Sequence, residues 1–153
     1  MLVLIHPDPR LKRTAQPVDF DKTTREDRVR IVRKMHSTLQ AQTWGEKLGL
    51  AAPQIGINKR VMLVRGTVMF NPSWYATEAP PNQITEGCYS VPGKTFKVSR
   101  APYGWATWTD INGNKNINVK IKGVPAIVFQ HELDHLDGKC CVDIGVEIQQ
   151  PTK

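Results

Sequence analysis

Cysteine is scarce in this chain, and what there is does not suit a disulfide framework: Cys88, Cys140 and Cys141 are odd in number and two are adjacent. That excludes a stapled secreted scaffold and points to a reducing compartment, where thiols stay free for metal or catalysis. No apolar stretch reaches the roughly 18–20 residues that a membrane helix needs. The apolar run Met1–Ile5 stops at His6-Pro7, too short for the core of a signal peptide. The expectation is a soluble, cytoplasmic protein with no membrane partner. No block of about five or six like charges occurs, although 21 Lys+Arg against 14 Asp+Glu leave a formal charge of +7. Arg25, Arg28, Arg30, Arg33 and Lys34 fall on one predicted helix, while Lys94, Lys97, Lys115, Lys120 and Lys122 are spread through the second half. A solvated basic surface accounts for this, with weak attraction to an RNA-rich assembly as the alternative and no specific DNA binding expected. Nothing repeats and no linker or low-complexity tract divides the chain, so residues 1–153 are read as a single domain, long enough to enclose a core.

The hydrophobic pattern places the elements. Three prolines and no period make residues 6–22 an extended surface segment. Thr23 and Glu26 have capping-box spacing, and Val29, Val32, Met35 and Leu39 recur at steps of three and four, predicting a helix over 24–43 with His36 at the edge of its buried face. Residues 45–56 (GEKLGLAAPQIG) combine small residues, Pro53 and three glycines, a composition for tight turns and close approach. Arg60–Val64, Val68–Asn71 and Phe96–Arg100 read as strands separated by proline-bearing segments such as Asn71-Pro72 and Ala79-Pro80-Pro81. A hairpin follows. Tyr103, Trp105, Thr107 and Thr109 alternate, Asn112-Gly113 offers a tight turn, and Ile117, Val119 and Ile121 alternate on the return, predicting one buried face and one wet face. Pro125 suits a helix first turn and Gly138 a C-terminal cap, so a second helix is placed at 125–137, buried in its apolar first half Ala126–Phe129. The fold class is α+β, with short antiparallel sheets packed around a buried C-terminal helix.

His131-Glu132-Leu133-Asp134-His135 lies in that second helix. Residues at i and i+4 share a face, so both imidazoles can converge on one ion with Glu132 beside them, facing a water. A catalytic metal usually takes three protein ligands and keeps one position open. Three residues can complete the set. Cys88 lies 43 residues before His131 next to Gly87, Cys141 lies ten residues after His131, and Glu147 lies twelve residues after His135. Cys141 stands where the third ligand falls in the HExxHxxGxxH pattern of metzincin proteases, which this chain follows as far as Gly138. Spacing leaves the choice open, and a zinc endopeptidase using Cys141 or Glu147 is the alternative enzyme.

Three segments taken together, Leu48–Gln54 (LGLAAPQ), Glu86–Ser90 (EGCYS) and Gln130–His135 (QHELDH), resemble the signature motifs of peptide deformylases in order and spacing. Pro7–Leu11 and Val98–Arg100 also match, so the likeness runs from Pro7 to Asp143. The resemblance implies that Cys88, His131 and His135 bind one divalent metal, commonly Fe²⁺ with Zn²⁺, Ni²⁺ or Co²⁺ as substitutes, and that the enzyme releases formate from N-formylmethionyl peptides, including nascent chains. It makes Glu132 the general base and then acid, and Gln54 with the backbone N–H of Tyr89 the oxyanion donors. It assigns the methionine side chain to a pocket lined by Leu48, Gly49, Ile127 and Val128, with peptide-backbone bonds near Leu48 and Gly87. Two positions depart from the family. Lys47 replaces the glycine that usually opens the first motif, costing about 1–2 kcal/mol if φ is positive there, and Tyr89 replaces the commoner leucine. Only ten residues follow Asp143, so the chain is similar to shortened phage-encoded members, which lack the C-terminal helix used for ribosome docking; its basic surface would then support at most weak ribosome association, in a host cytoplasm.

Overall fold

The computed structural model describes residues 2–149. Helix α1 spans Arg25–Gln40 and begins one residue later than the capping pattern predicts: Thr24, not Thr23, is the N-cap, and Asp27, not Glu26, closes the box. The Asp27 amide donates to Thr24 Oγ1 and the Thr24 amide donates to Asp27 Oδ2 (3.1 and 2.9 Å), so an aspartate fills the usual glutamate role. The helix also ends short of residue 43. Arg28 departs from the solvated basic surface. It is buried, donates to the carbonyls of Ile111 and Thr23, and lies 4.4 Å over the Phe20 ring.

Strands β1 (Gly49–Ala51), β2 (Val61–Val64), β3 (Thr67–Ala76), β6 (Tyr103–Thr109) and β7 (Lys115–Lys122) form one antiparallel sheet in the order β1-β2-β3-β6-β7, and β4 (Asn82–Cys88), β5 (Val91–Arg100) and β8 (Val146–Ile148) form a second. Helix α2 (Val124–Leu136) packs on β1 and β2, and a short helix α3 (Cys141–Ile144) packs on β5. All four residues of β2 are buried. Successive side chains point to opposite faces, so Val61 and Leu63 join the core with Met35 and Leu39 of α1, while Met62 and Val64 join the core with Phe129 and Leu136 of α2. The sheet is thus a wall between two helices, which is why Val-Met-Leu-Val shows no alternation. These findings give the α+β class with antiparallel sheets and a buried C-terminal helix.

Several boundaries differ from the sequence expectation for identifiable reasons. Strand β3 runs through Asn71-Pro72, which was expected to separate strands. Its ladder is irregular between Phe70 and Ser73, and Asn71 has φ 49°, so the proline sits where a ladder donor is not needed. The 6–22 segment is extended but not superficial, since Leu11, Ala15 and Val18 are core residues and Pro9–Lys12 is a 3-10 turn. In the hairpin β6 has one buried face, and small residues form it. Gly104 and Ala106 are the buried positions, small enough for Trp74 to pack on Phe129 of α2 at 5.0 Å, whereas Tyr103 and Trp105 lie on the other face. The ladder also shifts between Ala106 and Trp108, Asn118 has φ 52°, and Ile117 is left 63% exposed. The connection is not a two-residue turn either: Asp110 Oδ1 accepts from the amides of Asn112 and Asn114. At the end of α2 the expected cap is present, with Gly138 at φ 76° and the amide of Lys139 returning to the Asp134 carbonyl at 2.8 Å.

Thr24→Ala removes the side-chain half of the capping box and is expected to lower unfolding free energy by about 1 kcal/mol, read by urea denaturation. Glu26→Ala leaves the midpoint unchanged, in contrast to what a cap at Thr23 would require.

Candidate active site

The two sheets meet at α2, and the chemistry gathers in that junction. Cys88 ends β4, where the ladder shifts between Glu86 and Cys88, and His131, Glu132 and His135 project from α2. The helix is fixed in rotation by Gln130, whose side-chain amide donates to the Ala101 carbonyl and accepts from the Ala101 amide, both at 2.9 Å, as a peptide group would. The N-terminal segment ties the two site loops to each other: the Leu4 amide donates to the Gln54 carbonyl and the His6 amide to the Ser90 carbonyl (2.7 and 2.8 Å).

Every residue expected to contact substrate lines one cavity of about 410 Å³: Leu48, Gly49, Gly87, Ile127 and Val128. Gln54, Cys88, Tyr89, His131 and Glu132 line the same space. Gly49 is required there by close approach. A Cβ at that position would fall 2.7 Å from the Leu63 carbonyl oxygen, 2.8 Å from Val128 and 2.9 Å from Glu132 Oε2. Gly87 is different, with only the Lys94 carbonyl near its absent Cβ at 3.6 Å, so its value lies in open room on the cavity side.

The donor atoms form two groups whose members lie within 4.8 Å of one another, Cys88–His135–Cys140 and His131–Glu132–His135. His135 is common to both, and among the described residues no such group joins Cys88 directly to His131. Cys88 Sγ is 3.3 Å from His135 Nε2. His135 is 1% exposed; burial, then repulsion from His131, push its pKa down to about 3, so it is a neutral ring, and its Nδ1 has no hydrogen-bond partner among the described residues. Hydrogen bonding with the Cys140 and Cys141 sulfurs, then burial, push the Cys88 thiol up. Glu132 is 2% exposed, and burial raises its carboxyl to about 7 despite the opposing attraction of His131; its Oε2 has no hydrogen-bond partner among the described residues. A thiol, two imidazoles and a buried carboxylate oxygen make a donor set that suits a divalent transition ion, whose charge stabilises the thiolate that burial disfavours.

His131 is oriented by residues that the motif reading left without a role. Its Nδ1 is 2.8 Å from Glu86 Oε1, which turns Nε2 toward the cavity side of the ring. Burial would lower the pKa of His131, but the Glu86 and Glu132 carboxylates outweigh it and leave it raised. Glu86 in turn accepts from Arg100 at Nε and Nη2, and Arg100 Nη1 reaches Asp134 Oδ2. Burial alone would raise the Glu86 carboxyl, yet His131 and Arg100 hold it at about 2. A sequence signal for this network existed: on β5, Phe96, Val98 and Arg100 are successive inward positions, so an arginine in the core register required a buried carboxylate opposite.

Gln54 is anchored by its own loop. Its Oε1 accepts from the Ala51 amide of its own loop at 3.0 Å, and that bond aims Nε2 at Ser90 Oγ (3.1 Å) and Cys88 Sγ (3.7 Å). The two family departures meet each other. Lys47 has φ 55°, and its amide donates to the Tyr89 hydroxyl at 3.0 Å while its Nζ reaches the Gln40 carbonyl. Trp44 packs 4.9 Å from the Tyr89 ring. Of the alternative third ligands, Glu147 is half-exposed on β8 and paired with Lys94 at 3.7 Å, and Cys141 belongs to neither donor group.

The sequence pattern of the family described as polypeptide deformylase matches residues 1–150. A peptide deformylase of Halothermothrix orenii is 37% identical over 149 residues, covering 92% of this chain and 90% of that protein. The actinonin-bound class I type b peptide deformylase of Acinetobacter baumannii superposes with a TM-score of 0.85 at 30% identity, covering 94% and 97% of the two chains. A probable peptide deformylase from Synechococcus phage S-SSM7 does so with a TM-score of 0.83 at 30% identity, covering 93% and 97%.

Two outcomes follow from this geometry. Glu86→Gln weakens the acceptor on His131 Nδ1 and should cost about 10–100-fold in metal affinity, measured by competition with a chelator. Tyr89→Phe frees the Lys47 amide while leaving the main chain of residue 89 in place, and is expected to raise KM for peptide several-fold with kcat little changed.

Proposed function

This chain belongs to the polypeptide deformylase family, and from that premise we propose that Cys88, His131 and His135 hold the family's single divalent metal ion while Glu132 moves the proton. The activity is hydrolysis of the N-formyl amide of a peptide, giving formate and a free amine. The observation that carries the residue assignment is the neutral His135, whose Nε2 lies 3.3 Å from the Cys88 sulfur, next to a buried carboxyl raised to about 7. When bound, the ion supplies Lewis acidity, polarising a carbonyl and acidifying water.

The chain's own groups do the remaining work. Glu132, with a pKa near neutrality, takes a proton from the attacking water and hands it to the departing amine nitrogen. Gln54 Nε2, held by its own loop, donates to the oxygen that gains charge as the formyl carbon becomes tetrahedral, joined by the Tyr89 amide; one such donor contributes about 3–4 kcal/mol. The methionine side chain enters between Leu48, Gly49, Ile127 and Val128. Strand β4 is the edge of its sheet, and Ile84–Cys88 borders the cavity, so an extended peptide can pair with it near Gly87, with Leu48 across the cleft. A formyl group is the smallest acyl, and the wall around Gly49 leaves little room for the methyl of an acetyl.

In the cell the metal is iron, with zinc, nickel or cobalt able to replace it, since thiolate and imidazole ligands accept all four and supply decides among them. The substrates are nascent formylated peptides in the cytoplasm. Support comes from three free cysteines, and no helix among the described residues is long and apolar enough to cross a membrane.

The test is formate release from formyl-Met-Ala-Ser together with metal analysis of the same sample, prepared without oxygen. Glu132→Ala should keep its metal and lose about 10²–10⁴-fold in turnover. Cys88→Ala should lose both, and retention of both would overturn the ligand assignment. Turnover of the acetylated peptide at a comparable rate would overturn the formyl-selective wall.

A further inference from the structure

Three sulfurs cluster behind the cavity. Cys88 borders the open space, whereas Cys140 does not and is 3% exposed, yet Cys140 Sγ lies 3.9 Å from Cys88 Sγ. Cys140 stands at the N-terminus of α3 in the turn that follows α2, and its amide is held by Asp143 Oδ2 at 2.8 Å, so the approach of the two sulfurs is a property of fixed backbone. We propose that Cys140 is a resolving thiol: an oxidant reaching Cys88 through the cavity is diverted into a reversible Cys88–Cys140 disulfide instead of destroying Cys88.

The chemistry balances with a hydroperoxide as the oxidant. The Cys88 thiol attacks one peroxide oxygen; the S–O bond forms, the O–O bond breaks, and the proton lost from sulfur goes to the leaving hydroxide, which becomes water. Cys140 then attacks the Cys88 sulfur of the sulfenic acid, the S–S bond forms, the S–O bond breaks, and the proton from Cys140 leaves with the hydroxide as a second water. The two sulfurs give up two electrons and the peroxide accepts them. A small dithiol reverses the step by exchange. Without a second thiol in reach, the sulfenic acid climbs to sulfinic and sulfonic acids, which a dithiol does not restore.

Pairing between Cys140 and Cys141 does not compete well. Consecutive Cα atoms are about 3.8 Å apart across a trans peptide, below the roughly 4.4–6.8 Å that disulfides span. Closing the Cys88–Cys140 gap also withdraws Cys88 from any ion it holds, so oxidation and metal loss go together. Only that last consequence rests on the ligand assignment; formation of the cross-link does not.

The metal-loaded protein is treated with hydrogen peroxide, alkylated, and digested with trypsin, which places Cys88 in peptide 66–94 and Cys140 with Cys141 in peptide 140–153. The expected product is the two peptides joined, lighter by two hydrogens than their sum, with fragmentation placing the link at Cys140. Dithiothreitol should return both peptides and restore metal binding. Cys140→Ser and Cys140→Ala should instead accumulate sulfinic and sulfonic Cys88 that dithiothreitol does not recover. Irreversibly oxidised Cys88 in the unmutated chain at the same rate as in the variants, or a link placed at Cys141, would overturn the proposal. Because mapping reads no turnover, a cross-link without metal loss would implicate the ligand assignment, not the resolving thiol.

Discussion

The site depends on one buried ionic link, the Arg100 guanidinium between Glu86 and Asp134. Arg100 belongs to β5, Glu86 to β4 and Asp134 to α2, so a single side chain joins the strand that presents Cys88 to the helix that presents both histidines. At 4% exposed, Arg100 cannot be left unpaired. Removing one member of such a buried set costs about 3–5 kcal/mol because the remaining charge is stranded, several times the contribution of a helix cap. The sheets and helices could be stable with an apolar trio in its place. What the charges add is angular: Glu86 uses one oxygen for the arginine and for His131 Nδ1, which fixes the ring orientation.

The same burial sorts the titratable groups into roles. Glu86, Glu132 and His135 sit within one small volume, yet Glu86 is held at about 2, Glu132 raised to about 7 and His135 lowered to about 3. Desolvation acts on all three; what differs is the partner. Glu86 has a guanidinium and an imidazole against it and stays charged. Glu132 has an oxygen with no donor among the described residues, and burial, only partly opposed by His131, leaves its carboxyl near neutrality. His135 has no carboxylate partner and is neutral, the form a cation needs.

How much of this was legible in the sequence follows from how local each signal is. His131 and His135 are four residues apart on one helix, so their shared face is written in the spacing, and Pro125 and Gly138 bracket the helix that carries them. Cys88 needed the family resemblance, because nothing in local pattern ties β4 to α2 across 43 residues. The hairpin's alternation left open which face is buried, and on β6 side-chain size, not hydrophobicity, chose it. Gly104 and Ala106 admit Trp74 against Phe129, and the larger Tyr103 and Trp105 lie on the other face, where they meet edge to face at 5.8 Å. Arg100 was readable from alternation on β5, yet its charge made it look like surface. Cys140 had no signal at all, since its neighbour is a sulfur 52 residues away.

The two departures from the family at the cavity rim are one feature. A lysine at φ 55° carries a backbone cost of about 1–2 kcal/mol that a glycine would avoid, so Lys47 needs compensation. It receives two bonds that a glycine and a leucine could not form together: the Tyr89 hydroxyl takes its amide, and its own ammonium reaches the end of α1 at the Gln40 carbonyl. Each such bond is worth about 0.5–1.5 kcal/mol net, enough to offset the strain without a surplus. The rim is therefore held by side-chain bonds where the usual pattern relies on backbone freedom. That exchange leaves Cys88 and the α2 histidines untouched, because Tyr89 meets Lys47 through its hydroxyl while its main chain forms the turn that follows β4. The mouth of the cavity is thus held by side-chain bonds, whereas at its floor Gly49 is fixed by close approach, with the place of a Cβ lying within 3 Å of Leu63, Val128 and Glu132.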